Sequence, residues 1–225
     1  DGVIAIWVSV DGVLLSKLAG VSEVGLYSAA CQLLVPVALV NRSVVGSIFP
    51  VMCRLGKADQ PALARLAGWL FEFLITIGLP ATIGLLFLAE SLLYVLYGNI
   101  EFVRASGVVR VLAGVLLLRA LTAAFGHALW ASGREKTVLR IVIVNLAFNF
   151  VVGSVLIWHF GLMGAAWASL VTWITNAAQH AWACRELLAQ QPPGRELWKT
   201  GLAGLAMALA YVAIGANHYI VSSLT

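Results

Sequence analysis

Residues 138–158 read VLRIVIVNLAFNFVVGSVLIW, and after Arg140 the run holds no ionisable side chain. As a helix it rises about 30 Å, the thickness of a bilayer's hydrocarbon core. A second apolar run fills 163–184 after the break His159-Phe160-Gly161-Leu162. Runs of this length with so short a connection read as two successive membrane crossings.

The rest of the chain repeats the pattern. Hydrophobic residues make up 61% of the 225 and charged residues 11%, with mean hydropathy +0.96. Soluble domains hold about 45–50% apolar and about 25% charged residues. A globule of this size cannot hide the excess, so lipid must be the solvent for most of the surface. Breaks at charged, Gly and Pro clusters divide the chain into seven spans, at about 2–18, 24–53, 62–88, 103–131, 138–158, 163–184 and 198–216. Several exceed the roughly 20 residues a bilayer needs, which predicts tilt, kinks at Pro36 or Pro80, or protrusion beyond the hydrocarbon. The segment from Glu90 to Gly98 is too short to cross, and Tyr94 and Tyr97 in it predict a separate short helix at the interface. Asp1 opens the chain without a Met and no cleavage site follows the first apolar run, so no signal peptide is read and further sequence is expected upstream.

The basic residues mark loops. Arg54, Lys57 and Arg65 lie in the second loop, Arg134, Lys136 and Arg140 in the fourth, and Arg185, Arg195 and Lys199 in the sixth. Lys17 in the first and Arg104 in the third are their only counterparts in the odd loops. Nine against two, in strict alternation, predicts that even loops and the chain start face the cytoplasm while Thr225 faces outward. The net charge of +4 therefore orients a membrane protein and does not make a nucleic-acid surface. Cys31, Cys53 and Cys184 lie far apart in apolar runs, without the spacing of a metal clasp or disulfide frame, and read as packing residues.

An ionisable group inside a span costs at least about 2.5–3.5 kcal/mol, so it pairs within the bundle or faces water. Asp11, Arg42, Glu72 and Arg119 are such groups. Arg42 lies 12 residues before Arg54, about 18 Å along a helix, too far to snorkel to the loop. Arg119 sits midway along its span. A guanidinium stays charged and presents a planar fork of donors that suits phosphate oxygens in a low-dielectric cavity. Two readings compete here: Arg42 and Arg119 hold a phosphate-bearing substrate, or Asp11 and Glu72 neutralise them as structural ion pairs. Asp11, and with it Glu72, is also a candidate for the acid that couples transport to a proton or sodium ion.

Ala165, Ser169, Thr172, Asn176 and Gln179 fall on one helical face of the sixth span. Asn145, Asn149 and Gly153 make a shorter stripe on the fifth. Such stripes line cavities or bond helices together; we expect bonding for the shorter and a cavity for the longer. His127, His159, His180 and His218 lack zinc-site spacing. With no phosphate-cradling loop, no nucleophile elbow and loops too short for a catalytic domain, the chain reads as no enzyme and calls for no cofactor.

Asp11-Gly-Val-Leu-Leu15, Gly20, Val24-Gly-Leu-Tyr-Ser-Ala-Ala30 and Phe49-Pro50 come in order, followed by Leu96-Tyr-Gly98 and Phe160-Gly-Leu-Met-Gly-Ala-Ala166. Together they resemble the C-terminal half of polysaccharide biosynthesis flippases in the multidrug/oligosaccharidyl-lipid/polysaccharide exporter superfamily. The resemblance implies an all-α, multi-pass bundle of about seven transmembrane helices, forming one lobe of a two-lobe flippase. Residues 1–189 would be the six-helix lobe, and 190–225, opening on Gln190-Gln-Pro-Pro-Gly194, a linker with one additional helix. It further implies an inner-membrane transporter of undecaprenyl-pyrophosphate-linked oligosaccharide for O-antigen, capsule or exopolysaccharide, working beside polymerase and glycosyltransferase partners. The resemblance marks Asp11 as a family-like position, while the substrate candidates Arg42, Arg119, Ser169, Thr172, Asn176 and Gln179 rest on the physical reading of the residues, and Arg42 and Arg119 match no shared motif. A multidrug or cation exporter of the same superfamily is a rival, disfavoured by deep arginines; a membrane-bound transferase or polymerase is another, disfavoured by outer loops holding only Glu23, Glu90 and Glu101 as acids.

Overall fold

A computed structural model describes residues 11–190 together with 201, 202, 204 and 206. Residues 11–18 are helical and form the described part of α1. After it come α2 (Val21–Ala58), α3 (Gln60–Tyr97), a 3-10 turn (Ile100–Ala105), α4 (Ser106–Ala131), α5 (Glu135–Ala183) and α6 (Arg185–Gln190). No strand occurs among the described residues. Four helical stretches, of 38, 38, 32 and 49 residues, are long and apolar enough to cross a membrane. The chain is an all-α, multi-pass membrane bundle.

The longest stretch is two crossings. A straight helix of 49 residues would reach about 73 Å, more than twice the hydrocarbon core. Gly161 interrupts it with φ 55° and ψ −128°, a backbone conformation that glycine enters without steric cost. Asn145 faces Gln179 across this residue, and Asn149 faces Thr172. The arms 135–160 and 162–183 therefore lie antiparallel, matching the spans expected at 138–158 and 163–184. α2, α3, and the 3-10 turn with α4 correspond to the spans at 24–53, 62–88 and 103–131. The first span is described only from residue 11, and the linker and seventh span lie outside the described residues apart from helical 201, 202, 204 and 206.

The separate interfacial helix expected over Glu90–Gly98 is not formed. α3 continues without interruption to Tyr97 and stops at Gly98, whose φ of 61° lets its N–H bond the Tyr94 carbonyl at 2.9 Å. Nothing between Pro80 and Gly98 breaks a helix, so the segment extends the crossing instead of lying flat. At its other end α3 is separated from α2 by Asp59 alone. Asp59 Oδ1 accepts the Ala62 N–H at 2.9 Å and Pro61 occupies the first turn, a start set by an N-cap and a residue with fixed φ.

α4 is the hub, in contact with α2, α3 and α5, and it is the most buried crossing. Leu15, Leu26, Leu93, Val108, Ile157 and Leu162 pack toward the Gly161 end. Met52, Leu63, Leu70, Leu129, Val138 and Cys184 pack toward the other. The three cysteines are free, Cys184 buried and Cys31 and Cys53 half-buried. Near the α4–α5 turn Arg134 Nη2 donates to Glu186 Oε2 at 2.7 Å, and this hydrogen bond holds the Glu186 carboxyl below the usual carboxylate range. What the exposed pair adds to stability is small. It is present above the ordinary carboxylate value and lost as pH falls through the lowered one.

Candidate functional site

The site residues fall into two groups, one on an exposed face and one inside the bundle. On α2, Ser28, Gln32, Arg42, Ser43 and Ser47 are all exposed, and their spacing keeps them near one side of the helix. Arg119 of α4 is also exposed. Its guanidinium carbon lies 5.4 Å from the centre of the Trp173 ring, a cation–π distance. Arg119 is within electrostatic reach of Arg42, Cys31 and Tyr27. The fold thus brings Arg42 and Arg119 within electrostatic reach although α3 separates their helices in sequence.

Two ion pairs form among the described residues, Arg110 with Glu90 at 2.8 Å and Arg134 with Glu186 at 2.7 Å. Neither involves Arg42 or Arg119. Asp11, which the ion-pair reading would set against them, is held by neutral donors. The Tyr27 hydroxyl donates to its Oδ2 at 3.1 Å and the Ser169 hydroxyl to the same oxygen at 2.5 Å. Its Oδ1 is buried with no hydrogen-bond partner among the described residues. Glu72 is half-buried on α3 and engaged in contacts of its own.

The second group runs through the hairpin of α5. Asn145, Asn149, Ser169, Thr172 and Asn176 are between 0% and 6% exposed, and Gln179 is half-buried. Asn145 Nδ2 donates to the Ile141 carbonyl at 2.8 Å and to Gln179 Oε1 at 2.7 Å. Asn149 Nδ2 donates to Thr172 Oγ1 at 3.3 Å. The longer stripe is therefore buried among helices, meeting the other arm through Thr172 and Gln179 and meeting α1 and α2 through Ser169. Its residues form a polar seam that joins the two arms, and Ser169 at one end of it reaches Asp11. Three amide oxygens, Oδ1 of Asn145, Asn149 and Asn176, are buried there without partners among the described residues.

The seam contributes modestly to stability, because hydrogen bonds between membrane helices average about 0.6 kcal/mol. Asn145→Leu removes the bond to Gln179 and also one orphaned oxygen, so the expected loss is under about 2 kcal/mol. Unfolding of the purified protein in mixed micelles measures it, and failure of the variant to insert would contradict this reading.

Sequence reasoning did not single out Tyr27, Cys31 or Trp173. Tyr27 meets Asp11 across the α1–α2 turn, where no helical spacing rule applies. Trp173 carries a legible sign, lying four residues after Ser169 on the same arm, but an aromatic residue in an apolar run does not announce a cation beside it. His127 and His180 each bond a backbone carbonyl four residues back, at 2.7 and 3.0 Å. No group of three potential metal ligands occurs among the described residues.

The chain is thus an antiparallel bundle of membrane crossings with Arg42 and Arg119 on an exposed face and the Asp11 carboxylate buried in a polar seam. The chain belongs to the family described as Lipid II flippase MurJ, whose model matches residues 2–225. That family is one of flippases, in the MOP superfamily, and not of enzymes. Over 175 residues the chain is 26% identical to the probable low-salt glycan biosynthesis flippase Agl15 of Haloferax volcanii, covering 77% of this chain and 36% of the relative. It is 25% identical over 158 residues to the teichuronic acid biosynthesis protein TuaB of Bacillus subtilis, covering 70% and 30%. It is 26% identical over 174 residues to the probable lipid II flippase MurJ of Vibrio cholerae, covering 75% and 33%. The chain therefore spans about a third of the length of these relatives. In fold it is similar to a MOP superfamily transporter from Pyrococcus furiosus, with TM-score 0.69, 21% identity, and coverage of 99% of this chain and 52% of that one. An outward-facing multidrug resistance MATE family transporter matches with TM-score 0.69, 22% identity, and coverage of 99% and 52%.

Proposed function

We propose that this chain is one lobe of a flippase for undecaprenyl-pyrophosphate-linked oligosaccharide, and that Arg42 and Arg119 hold the pyrophosphate as the head group crosses. The observation that carries this reading is the pair of deep guanidiniums, near each other, exposed, and outside any ion pair among the described residues. Like charges within electrostatic reach of each other repel unless an anion joins them, and pyrophosphate brings charge and acceptors that match two planar forks. The exposed hydroxyls and amide of Ser28, Gln32, Ser43 and Ser47 suit a wetted wall beside them. The lipid tail stays in the bilayer while the two lobes rock about the head group. No covalent bond changes.

Asp11 is the proposed coupling acid. A buried carboxylate with one oxygen outside any hydrogen bond among the described residues, two hydroxyls on the other, and the Asn149 amide close by suits a proton or a small cation. Ser169 then supports that acid, Thr172 and Gln179 hold the two arms together, and none of the stripe touches the oligosaccharide. The charge alternation of the loops supports a chain start on the cytoplasmic side of an inner membrane. The relatives are named for different saccharides, and an O-antigen, capsule or exopolysaccharide unit is the proposed cargo here, delivered by glycosyltransferases and passed to a polymerase. The basic face disfavours a cationic drug as cargo.

Cysteine labelling tests the passage directly. With the native cysteines replaced, Ser43→Cys in the intact protein should react with a membrane-impermeant thiol reagent, and undecaprenyl pyrophosphate should protect it. A thiol at 43 reached only by membrane-soluble reagents would place this face against lipid, and the proposal would fail.

A further inference from the structure

The buried acid and the lumen arginine are joined by one turn of one helix. Ser169 donates to Asp11 at 2.5 Å, and Trp173, four residues on in the second arm of α5, lies under Arg119 at 5.4 Å. Residues four apart are linked by the helix backbone and stacked on one face, so a displacement of one carries the other. We propose that Trp173 is a positioning residue that couples the two sites, holding Arg119 ready for an anion and setting its affinity according to the charge state of Asp11. This deepens the proposed function and rests on its assignment of Arg119 and Asp11.

A flat ring suits this role better than a carboxylate. An acid beside Arg119 would hold the guanidinium by occupying its donors and cancelling its charge. An indole face attracts the cation and fixes its plane, yet leaves the N–H fork free at the edge, where a phosphate oxygen docks. Arg119 is therefore oriented without being neutralised.

The other end of the link is charge-sensitive. As a carboxylate, Asp11 draws in Tyr27 and Ser169 through charge-assisted hydrogen bonds, about twice as strong as neutral ones. A proton or cation at Asp11 weakens that pull, and the arm relaxes together with Ser169 and Trp173. Among the described residues the titratable groups around Asp11 are Tyr27 and Cys31, both from α2; α5 contributes the neutral Asn149 and Ser169. Removing the negative charge should favour an anion at Arg119, and by linkage an anion at Arg119 should favour the cation at Asp11.

Binding of inorganic pyrophosphate to the intact purified protein, measured by titration calorimetry, tests the link. Asp11→Asn mimics the neutral acid and should tighten pyrophosphate binding by at least about fivefold, the lower end of usual coupling. In a Trp173→Leu background the same change should shift affinity less than about twofold, while Trp173→Phe, which keeps a ring, retains most of the effect. A structural role for Trp173 alone would weaken binding equally with and without the Asp11 change. Retention of the full Asp11 effect in the Trp173→Leu protein overturns the coupling path, and so does an Asp11→Asn protein that binds pyrophosphate as the parent does. Absence of pyrophosphate binding to the parent protein removes the anion site itself, a failure of the proposed function, and this inference with it.

Discussion

Arg42→Ala and Arg119→Ala should each weaken pyrophosphate binding about 10- to 100-fold and abolish flipping of the polyprenyl-linked sugar. A hydrogen bond to a charged group contributes about 1.5–3 kcal/mol, and each guanidinium offers two to the same phosphate. Because the two arginines lie within electrostatic reach, their effects should not add, and the double variant should fall short of the product of the single ones. Arg→Lys at either position should recover part of the affinity, since the charge is kept and the fork is lost. Flipping in reconstituted vesicles and calorimetry on the purified protein measure both outcomes. Membrane abundance should stay at the parent level, since both side chains are exposed. Loss of abundance with unchanged pyrophosphate affinity would make the arginines structural and remove the basis of the proposed function.

The largest effect on stability is expected from two glycines. A Cβ at Gly56 would run into the Ala131 carbonyl where α2 meets the end of α4, and a Cβ at Gly164 would run into the Leu156 carbonyl across the α5 hairpin. In both places the obstacle is backbone, which cannot rotate away as a side chain can. Overpacking a core typically costs about 1–3 kcal/mol, and moving a helix backbone lies at or beyond the top of that range. Gly56→Ala and Gly164→Ala should each lower membrane abundance several-fold and reduce the unfolding temperature of what remains. Gly46→Ala, with open space around it, is the control and should behave as the parent does. Parent-like unfolding of the Gly164→Ala protein would show that the two arms of α5 are less tightly apposed than described.

Much of the fold was legible because membrane crossings are local events. The run 138–158 and its successor were separable by eye, and the hairpin turns within the four residues that divided them. Phe160-Gly-Leu-Met-Gly-Ala-Ala166, quoted as a family landmark, contains both glycines the hairpin needs. Gly161 turns the chain and Gly164 admits the opposite arm. Glu90–Gly98 was misread because aromatic residues at an interface do not distinguish a helix lying flat from the end of one emerging from the membrane. Only the stop at Gly98 and the absence of any earlier breaker settle that. The candidate site was half legible. Buried charge is expensive in lipid, so Asp11, Arg42 and Arg119 stood out as single residues, but their partners did not.

The amino-acid sequence by itself determined the crossings from α2 to the second arm of α5 and the family landmarks, because hydropathy and helix length are properties of neighbours along the chain. Which polar face points where was decided only in three dimensions. Ser169 reaches Asp11 from 158 residues away, and the stripe that looked fit to line a cavity is spent on holding two arms and an acid together. A helical period says that residues share a face; it carries no information about what that face meets. That is set by how α1, α2, α4 and the two arms of α5 dock, and docking placed the arginines on one surface and the acid behind it.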